Sequence, residues 1–77
     1  MLHFDAQRGL LIGPDDDHSL AVSPGDFVTC KLAMLIAGEC LGLGPVDAAE
    51  AFGYSKQRYF QLRDAFALNG AAALLNR

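Results

Sequence analysis

The sequence predicts a mainly α fold of three to four helices that contains a helix-turn-helix and follows a short N-terminal β-hairpin. Apolar residues repeat at helical intervals in the second half, glycines separate these repeats, and two short apolar runs lie near the N-terminus. The hydrophobic content of 52% favours a folded chain, and 77 residues allow one small unit. We expect a hairpin and acidic loop in residues 1–22 and a helix-turn-helix domain in residues 23–77.

The N-terminal region is predicted to form a β-hairpin from residues 2–4 and 10–12, joined by a loop that ends in Gly9. Residues 20–22 are a candidate third strand. Because an isolated hairpin is barely stable in water, this one needs the helices to pack against.

An acidic loop follows, with Asp15, Asp16 and Asp17 next to His18. This cluster has two interpretations, a metal site or a solvated loop. Neighbouring side chains diverge and no second cluster converges on them, so the solvated loop is favoured. The sequence therefore predicts no metal site and no cofactor.

The first helix is predicted to start with Ser23 as N-cap, Pro24 at the first helical position and Asp26 three residues after the cap. It should run to about residue 41 and end before Gly42. Its apolar residues occupy most of the circumference, which predicts burial on more than one side. One side should meet the later helices. For the other side the hairpin is the favoured cover, with a second copy or a following domain as the alternatives.

The two cysteines, Cys30 and Cys40, are ten residues apart in this helix. That separation is about 15 Å along a helix axis, beyond the reach of a disulfide, so we expect two buried thiols. The sequence contains no apolar run near the length of about 20 residues that a bilayer needs, and no signal peptide. We therefore expect a cytoplasmic protein with no membrane partner.

Two helices joined by a tight turn are predicted in residues 45–69. Pro45 suits a first helical turn, and Gly53 can take the left-handed conformation that ends a helix. Ser55 is a good N-cap for the second helix, in which Tyr59, Leu62 and Phe66 repeat at intervals of three and four. The apolar face of the first of the two helices is predicted to consist of Val46, Ala49 and Phe52, with Ala48 in the small core.

The spacing around the turn matches the requirements of a helix-turn-helix. A small residue, Ala49, faces the second helix, Gly53 follows four positions later, and Tyr54 seals the corner. Residues 71–75 should form a short last helix whose Leu74 and Leu75 fold back on the core.

The second half of the chain contains A-A-E-A-F-G-Y-S-K-Q-R-Y-F-Q-L-R-D-A-F, followed by N-G-A-A-A-L-L-N-R. This segment resembles the homeodomain-like helix-turn-helix at the N-terminus of many bacterial insertion-sequence transposases and related proteins. The resemblance covers about residues 45–77 and departs from the family pattern at Ala71 and Ala73. It implies a homeodomain-like fold and double-stranded DNA binding, as the N-terminal domain of a transposase-like or transcription-regulating protein or a stand-alone remnant of one.

The charge is unevenly distributed. The net charge of −3 is unusual for a DNA-binding domain, because such domains neutralise phosphates with lysine and arginine. Residues 1–44 hold six acids against two bases, a net −4, whereas residues 45–77 hold three acids against four bases, a net +1. Three of the six basic residues, Lys56, Arg58 and Arg63, lie on the proposed recognition helix.

The outward face of this helix supplies the candidate DNA contacts. Gln57 and Gln61, one turn apart, can pair with adenine edges, and Lys56 can reach guanine or phosphate. Arg58 and Arg63 flank the face and suit phosphates. A solvated helix surface is the alternative for these polar residues, of about equal weight for the two glutamines. The predicted DNA-binding residues are Ser55, Lys56, Gln57, Arg58, Phe60, Gln61 and Arg63.

Two residues of the outward face are unusual. Phe60 is apolar, and it could meet a thymine methyl, the last helix or a partner protein. Asp64 would repel phosphates, which confines base reading to the first two turns.

Enzymatic activity is not expected, because His3 and His18 have no serine or cysteine arrangement to serve. The alternative function is a protein-interaction or dimerisation module that keeps the helix-turn-helix fold with little DNA affinity. The acidic N-terminal half and Phe60 motivate it.

Overall fold

A computed structural model of the chain describes residues 2–5, 9–15, 17–23 and 25–75. Within these residues the architecture is mainly α with a small antiparallel sheet, as the sequence predicts. None of the described helices is long and apolar enough to cross a membrane. The elements are β1 (Leu2–Asp5), β2 (Gly9–Ile12), β3 (Leu20–Ala21), α1 (Phe27–Glu39), α2 (Pro45–Ala51), α3 (Lys56–Asn69) and a final 3₁₀ helix (Gly70–Leu74).

The sheet has the strand order β1-β2-β3, and both strand pairs are antiparallel. The β1–β2 register aligns Leu2 with Ile12, and the β2–β3 register aligns Ile12 with Leu20. The backbone N–H of Val22 extends the second pair by donating to the carbonyl oxygen of Leu10 at 2.9 Å. The predicted hairpin and third strand are therefore confirmed, while the loop residues 6–8 lie outside the described residues.

The acidic loop uses one carboxylate to fix its own backbone. Oδ1 of Asp15 accepts from the backbone N–H groups of Asp17 and His18, each at 2.9 Å, and lies 3.0 Å from Nδ1 of His18. The hydrogen bond to the His18 ring is the main cause that lowers the pKa of Asp15. The side chains of Asp15 and His18 are exposed, so the loop is solvated here, and Asp16 lies outside the described residues.

Helix α1 begins later than the sequence predicts. Its N-cap is Asp26, whose Oδ1 accepts from the Thr29 N–H at 3.0 Å and whose Oδ2 accepts from the Thr29 hydroxyl at 2.6 Å. Ser23 instead uses its carbonyl oxygen, which accepts from the Asp26 N–H at 3.0 Å in the preceding turn. The prediction of Ser23 as N-cap is therefore wrong, because Thr29 gives Asp26 two hydrogen bonds. Pro24 lies outside the described residues.

The cap of α1 predicts a pH-dependent stability. Hydrogen bonds from Thr29 lower the pKa of Asp26 in the folded state. Its contribution to stability is therefore complete above the unfolded pKa of about 3.9 and is lost as the pH falls through the folded value. We expect Asp26→Ala to lower the free energy of unfolding at pH 7 and to have a smaller effect below pH of about 3.9. Urea unfolding at both pH values measures this difference.

The matched control for this prediction is Asp26→Asn, which keeps a capping oxygen but does not titrate. It should remain close to the wild type at pH 7. An Asp26→Ala deficit that stays constant down to pH of about 2 would contradict the argument.

Helix α1 lies between the sheet and the other helices. On the sheet side, Ala33 packs with Leu10 and Val22. On the other side, Met34 and Leu35 belong to a core that α2, α3 and the 3₁₀ helix complete. The prediction that the hairpin covers one side of this helix is therefore confirmed. The buried residues of the helical core are Met34, Leu35, Ala37, Ala48, Ala49, Tyr59, Leu62 and Leu74.

The same helix buries a lysine that no sequence pattern predicts to lie inside. Lys31 is only 2% exposed. Its Nζ donates to the carbonyl oxygen of Leu74 at 3.3 Å and lies 5.1 Å from the centre of the Phe27 ring. Lys31 thus connects α1 to the end of the 3₁₀ helix.

The predictions of burial for the two cysteines and for Leu75 are wrong, and the apolar face predicted for α2 is only partly buried. Cys40 is exposed because α1 ends at Glu39, and Cys30 is half-buried. Val46 is exposed because α2 turns Ala48 and Ala49 into the core instead. Leu75 is exposed because it follows the end of the 3₁₀ helix. Of the two leucines, only Leu74 points into the core.

Candidate nucleic-acid interface

The turn between α2 and α3 has the predicted geometry. Gly53 has a φ of 78°, in the left-handed region where glycine is favoured. The backbone N–H of Tyr54 donates to the carbonyl oxygen of Ala49 at 2.8 Å, which closes the end of α2. Ala49 is buried at this corner, so a small side chain allows α3 to approach. The two helices and the tight turn predicted for residues 45–69 are therefore present.

The start of α3 is fixed by Ser55, whose Oγ accepts from the Arg58 N–H at 3.0 Å. We expect Ser55→Ala to lower the free energy of unfolding by about 1 kcal/mol, because the first turn loses its cap. Ser55→Asp, which keeps an accepting oxygen, is the matched control and should retain most of the stability. Chemical denaturation of the three proteins checks this, and equal stabilities for alanine and serine would contradict it.

The orientation of α3 about its own axis is set by Tyr59. The ring is fully buried, and Oη donates to Oε2 of Glu39 at 2.7 Å. Gly38 makes room for it, since a Cβ at that position would lie 2.7 Å from Cζ of Tyr59. Burial, followed by the hydrogen bond to Glu39, raises the pKa of Tyr59 well above its ordinary value. Tyr59 and the buried Leu62 therefore hold one face of α3 inward.

The opposite face of α3 carries a shallow surface depression. The polar side chains around it are exposed, whereas Phe60 is half-buried. We call this surface the α3 face, and its residues are the outward-facing set that the sequence predicts. It is lined by Ser55, Lys56, Gln57, Phe60, Gln61 and Asp64.

Phe60 is held by its neighbours on the helix. Its ring meets the Tyr59 ring edge-on, with centres 5.5 Å apart and an angle of 85° between the planes. The guanidinium carbon of Arg63 lies 4.8 Å from the centre of the Phe60 ring. Phe60 also packs against the helical core. These contacts account for an aromatic residue at this position without any ligand.

The charged side chains of α3 differ in their partners. Nε and Nη2 of Arg63 both donate to Oδ1 of Asp64, at 3.2 and 3.1 Å, so this pair is close to neutral. Nη1 of Arg58 donates to Oε1 of Gln61 at 3.4 Å. Lys56 and Gln57 are exposed and have no side-chain partner within the described ranges. Lys56 is therefore the basic group of the α3 face that is most available to a phosphate.

Sequence reasoning missed the residues that support this face from behind. Gly38 and Glu39 both lie in α1, and both contact Tyr59 of α3. A glycine inside an apolar helical pattern was the available signal, because such a glycine often marks a close approach.

An apolar groove lies away from α3, between β1 and the segment around α2, and we call it the β1 groove. Its exposed large apolar side chains are Phe4, Leu41 and Leu43, at 60%, 46% and 44%. It is lined by Leu2, Phe4, Ala37, Leu41, Leu43, Ala51 and Phe52.

Comparisons of the chain with models of protein families, with curated proteins and with solved structures gave no match.

Proposed function

We propose that the chain binds double-stranded DNA as a homeodomain-like helix-turn-helix domain, with α3 in the major groove. The observation that carries the proposal is the α3 face, where Lys56, Gln57 and Gln61 project outward from a helix locked on its other side by Tyr59. The resemblance in residues 45–77 supports the same function. We propose further that the domain serves a cytoplasmic transposase-like or regulatory protein.

The length of α3 suits a major groove, and the charges in its N-terminal half suit phosphate binding. A helix of 14 residues is about 21 Å long, and a major groove about 12 Å wide admits it. The helix N-terminus carries a partial positive charge, which Lys56 and Arg58 reinforce in the first turn. Asp64 brings a negative charge in the third turn, which Arg63 offsets. Phosphate contacts should therefore concentrate at the N-terminal end of α3.

The salt dependence of binding tests this distribution. With two phosphates neutralised by Lys56 and Arg58, the logarithm of the association constant should fall with the logarithm of salt concentration with a slope of about −2. Lys56→Gln should reduce the magnitude of this slope by about 1, because one phosphate contact is lost. Fluorescence anisotropy with a mixed-sequence duplex measures both values.

The matched control is Arg63→Gln, which removes the same charge from the same helix. Because Arg63 is held by Asp64 and Phe60, this variant should keep the wild-type slope. Equal changes for Lys56→Gln and Arg63→Gln would indicate attraction by net charge alone and would contradict the proposed interface.

The second candidate is a protein-interaction or dimerisation module, and the β1 groove favours it. Phe4, Leu41 and Leu43 line this groove and are exposed. An exposed apolar surface in a soluble protein often marks an interface. Sedimentation equilibrium of the wild type and Leu41→Asp distinguishes the two. A dimer that Leu41→Asp dissociates supports the second candidate. A wild type that is monomeric at all concentrations excludes dimerisation as its function.

A further inference from the structure

We propose that Gln57 selects adenine, and that Arg58 holds Gln61 so that Gln61 contacts a purine without distinguishing adenine from guanine. The inference rests on the proposed DNA binding and assigns different roles to two glutamines that look equivalent in the sequence. The geometry behind it is the hydrogen bond from Nη1 of Arg58 to Oε1 of Gln61 at 3.4 Å.

The other polar side chains of the α3 face are already engaged or carry only donors. Oγ of Ser55 caps the helix by accepting from the Arg58 N–H, and Asp64 accepts twice from Arg63. Lys56 is a donor only. The two glutamines are thus the residues of the face whose side chains carry a donor and an acceptor on two separate atoms, as bidentate pairing with a base requires.

The bond from Arg58 orients the amide of Gln61. At 100° per residue, Arg58 and Phe60 lie on opposite sides of Gln61 around the helix. Since Oε1 points to the Arg58 side, Nε2 is left on the side of the α3 face. An amide N–H group donates equally well to N7 of adenine and N7 of guanine. Gln61 in this orientation therefore recognises a purine.

Gln57 has no such constraint. Its side chain is exposed and has no side-chain partner in the part of the chain that the structure describes. It can present Oε1 to the adenine N6 amino group and Nε2 to N7 at the same time, whereas guanine offers two acceptors. The rise between Gln57 and Gln61 is about 6 Å, close to two base-pair steps of about 3.4 Å. The expected site is an adenine with a purine of either kind one or two steps away.

Selection from a randomised duplex pool at low salt, about 50 mM, tests the assignment. The wild type should enrich an adenine position and a nearby mixed-purine position. Gln57→Ala should lose the adenine preference, which we expect to be roughly 5- to 150-fold in affinity. Gln61→Ala should keep that adenine and lose the purine position. Each variant changes a surface side chain, and circular dichroism confirms that it is folded.

Arg58→Ala gives the most specific readout, because it releases Oε1 of Gln61. This variant should bind more weakly overall and convert the mixed-purine position into a second adenine position. Lys56→Ala is the matched control, since it loses the same charge from the same turn but should leave the mixed purine unchanged.

The outcomes separate this inference from the proposed function. If the wild type binds but Gln57→Ala enriches the same adenine, or Arg58→Ala retains the mixed purine, the inference is wrong and DNA binding stands. Binding without any base preference would also show that the inference is wrong while DNA binding stands. If the wild type binds no duplex at about 50 mM salt, DNA binding and the inference both fail.

Discussion

Tyr59→Ala is expected to lower the free energy of unfolding by about 3–5 kcal/mol, the range for deleting a large buried aromatic side chain. The ring is fully buried, and its hydroxyl joins α3 to α1 through Glu39. A chain of 77 residues has a total stability of roughly 4–12 kcal/mol. The substitution should therefore remove a large part of the stability and loosen the α3 face from its support.

Urea unfolding followed by circular dichroism measures this loss, with Tyr59→Phe as the matched control. The control keeps the ring and removes only the hydrogen bond to Glu39, so it should cost about 1 kcal/mol. Glu39 is exposed, and water can replace its lost partner. If Tyr59→Ala were no less stable than Tyr59→Phe, the ring would not be the anchor of α3.

Lys31→Ala is expected to cost about 2–5 kcal/mol of the free energy of unfolding. The substitution deletes a buried aliphatic stem and leaves a cavity under the 3₁₀ helix. It also removes a donor from the carbonyl oxygen of Leu74, and an unsatisfied buried acceptor is itself destabilising. The 3₁₀ helix should therefore detach from α1 before the rest of the protein unfolds.

Hydrogen exchange of the backbone amides in residues 70–75, together with urea unfolding, measures both effects. Lys31→Met is the matched control, because methionine keeps most of the stem volume without the ammonium group. It should lie between the wild type and Lys31→Ala. Faster exchange in Lys31→Met than in Lys31→Ala would contradict the role of the stem in packing.

Helices α2 and α3 and the turn between them could be predicted from the sequence because their signals are local. Gly53 after α2 and the Ser55 cap occupy adjacent positions, and each acts on its own segment of chain. The interval of three residues between Tyr59 and Leu62 identifies the inward face of α3, and the residues on the opposite side of the helix form its outward face. The homeodomain-like character and the DNA contacts remain predictions, because both depend on a partner or a relative.

The features that could not be predicted depend on distant contacts or on competing local ones. Lys31 is buried because it contacts Leu74, which is 43 residues away, and no local sequence pattern predicts a contact over that separation. At the start of α1, Ser23 and Asp26 are both good caps, and the choice depends on the Thr29 side chain. On α3, the bonds made by Arg58 and Arg63 distinguish polar residues that look equivalent in the sequence.

The most direct test of DNA binding through α3 is an NMR titration of the labelled protein with a mixed-sequence duplex at low and moderate salt. We predict chemical-shift changes at the amides of Lys56, Gln57 and Gln61 that weaken as salt rises, with the β1 groove unaffected. If these amides do not shift even at low salt, the proposed recognition helix does not bind DNA. Shifts confined to Phe4, Leu41 and Leu43 would instead contradict the assignment of the interface to α3.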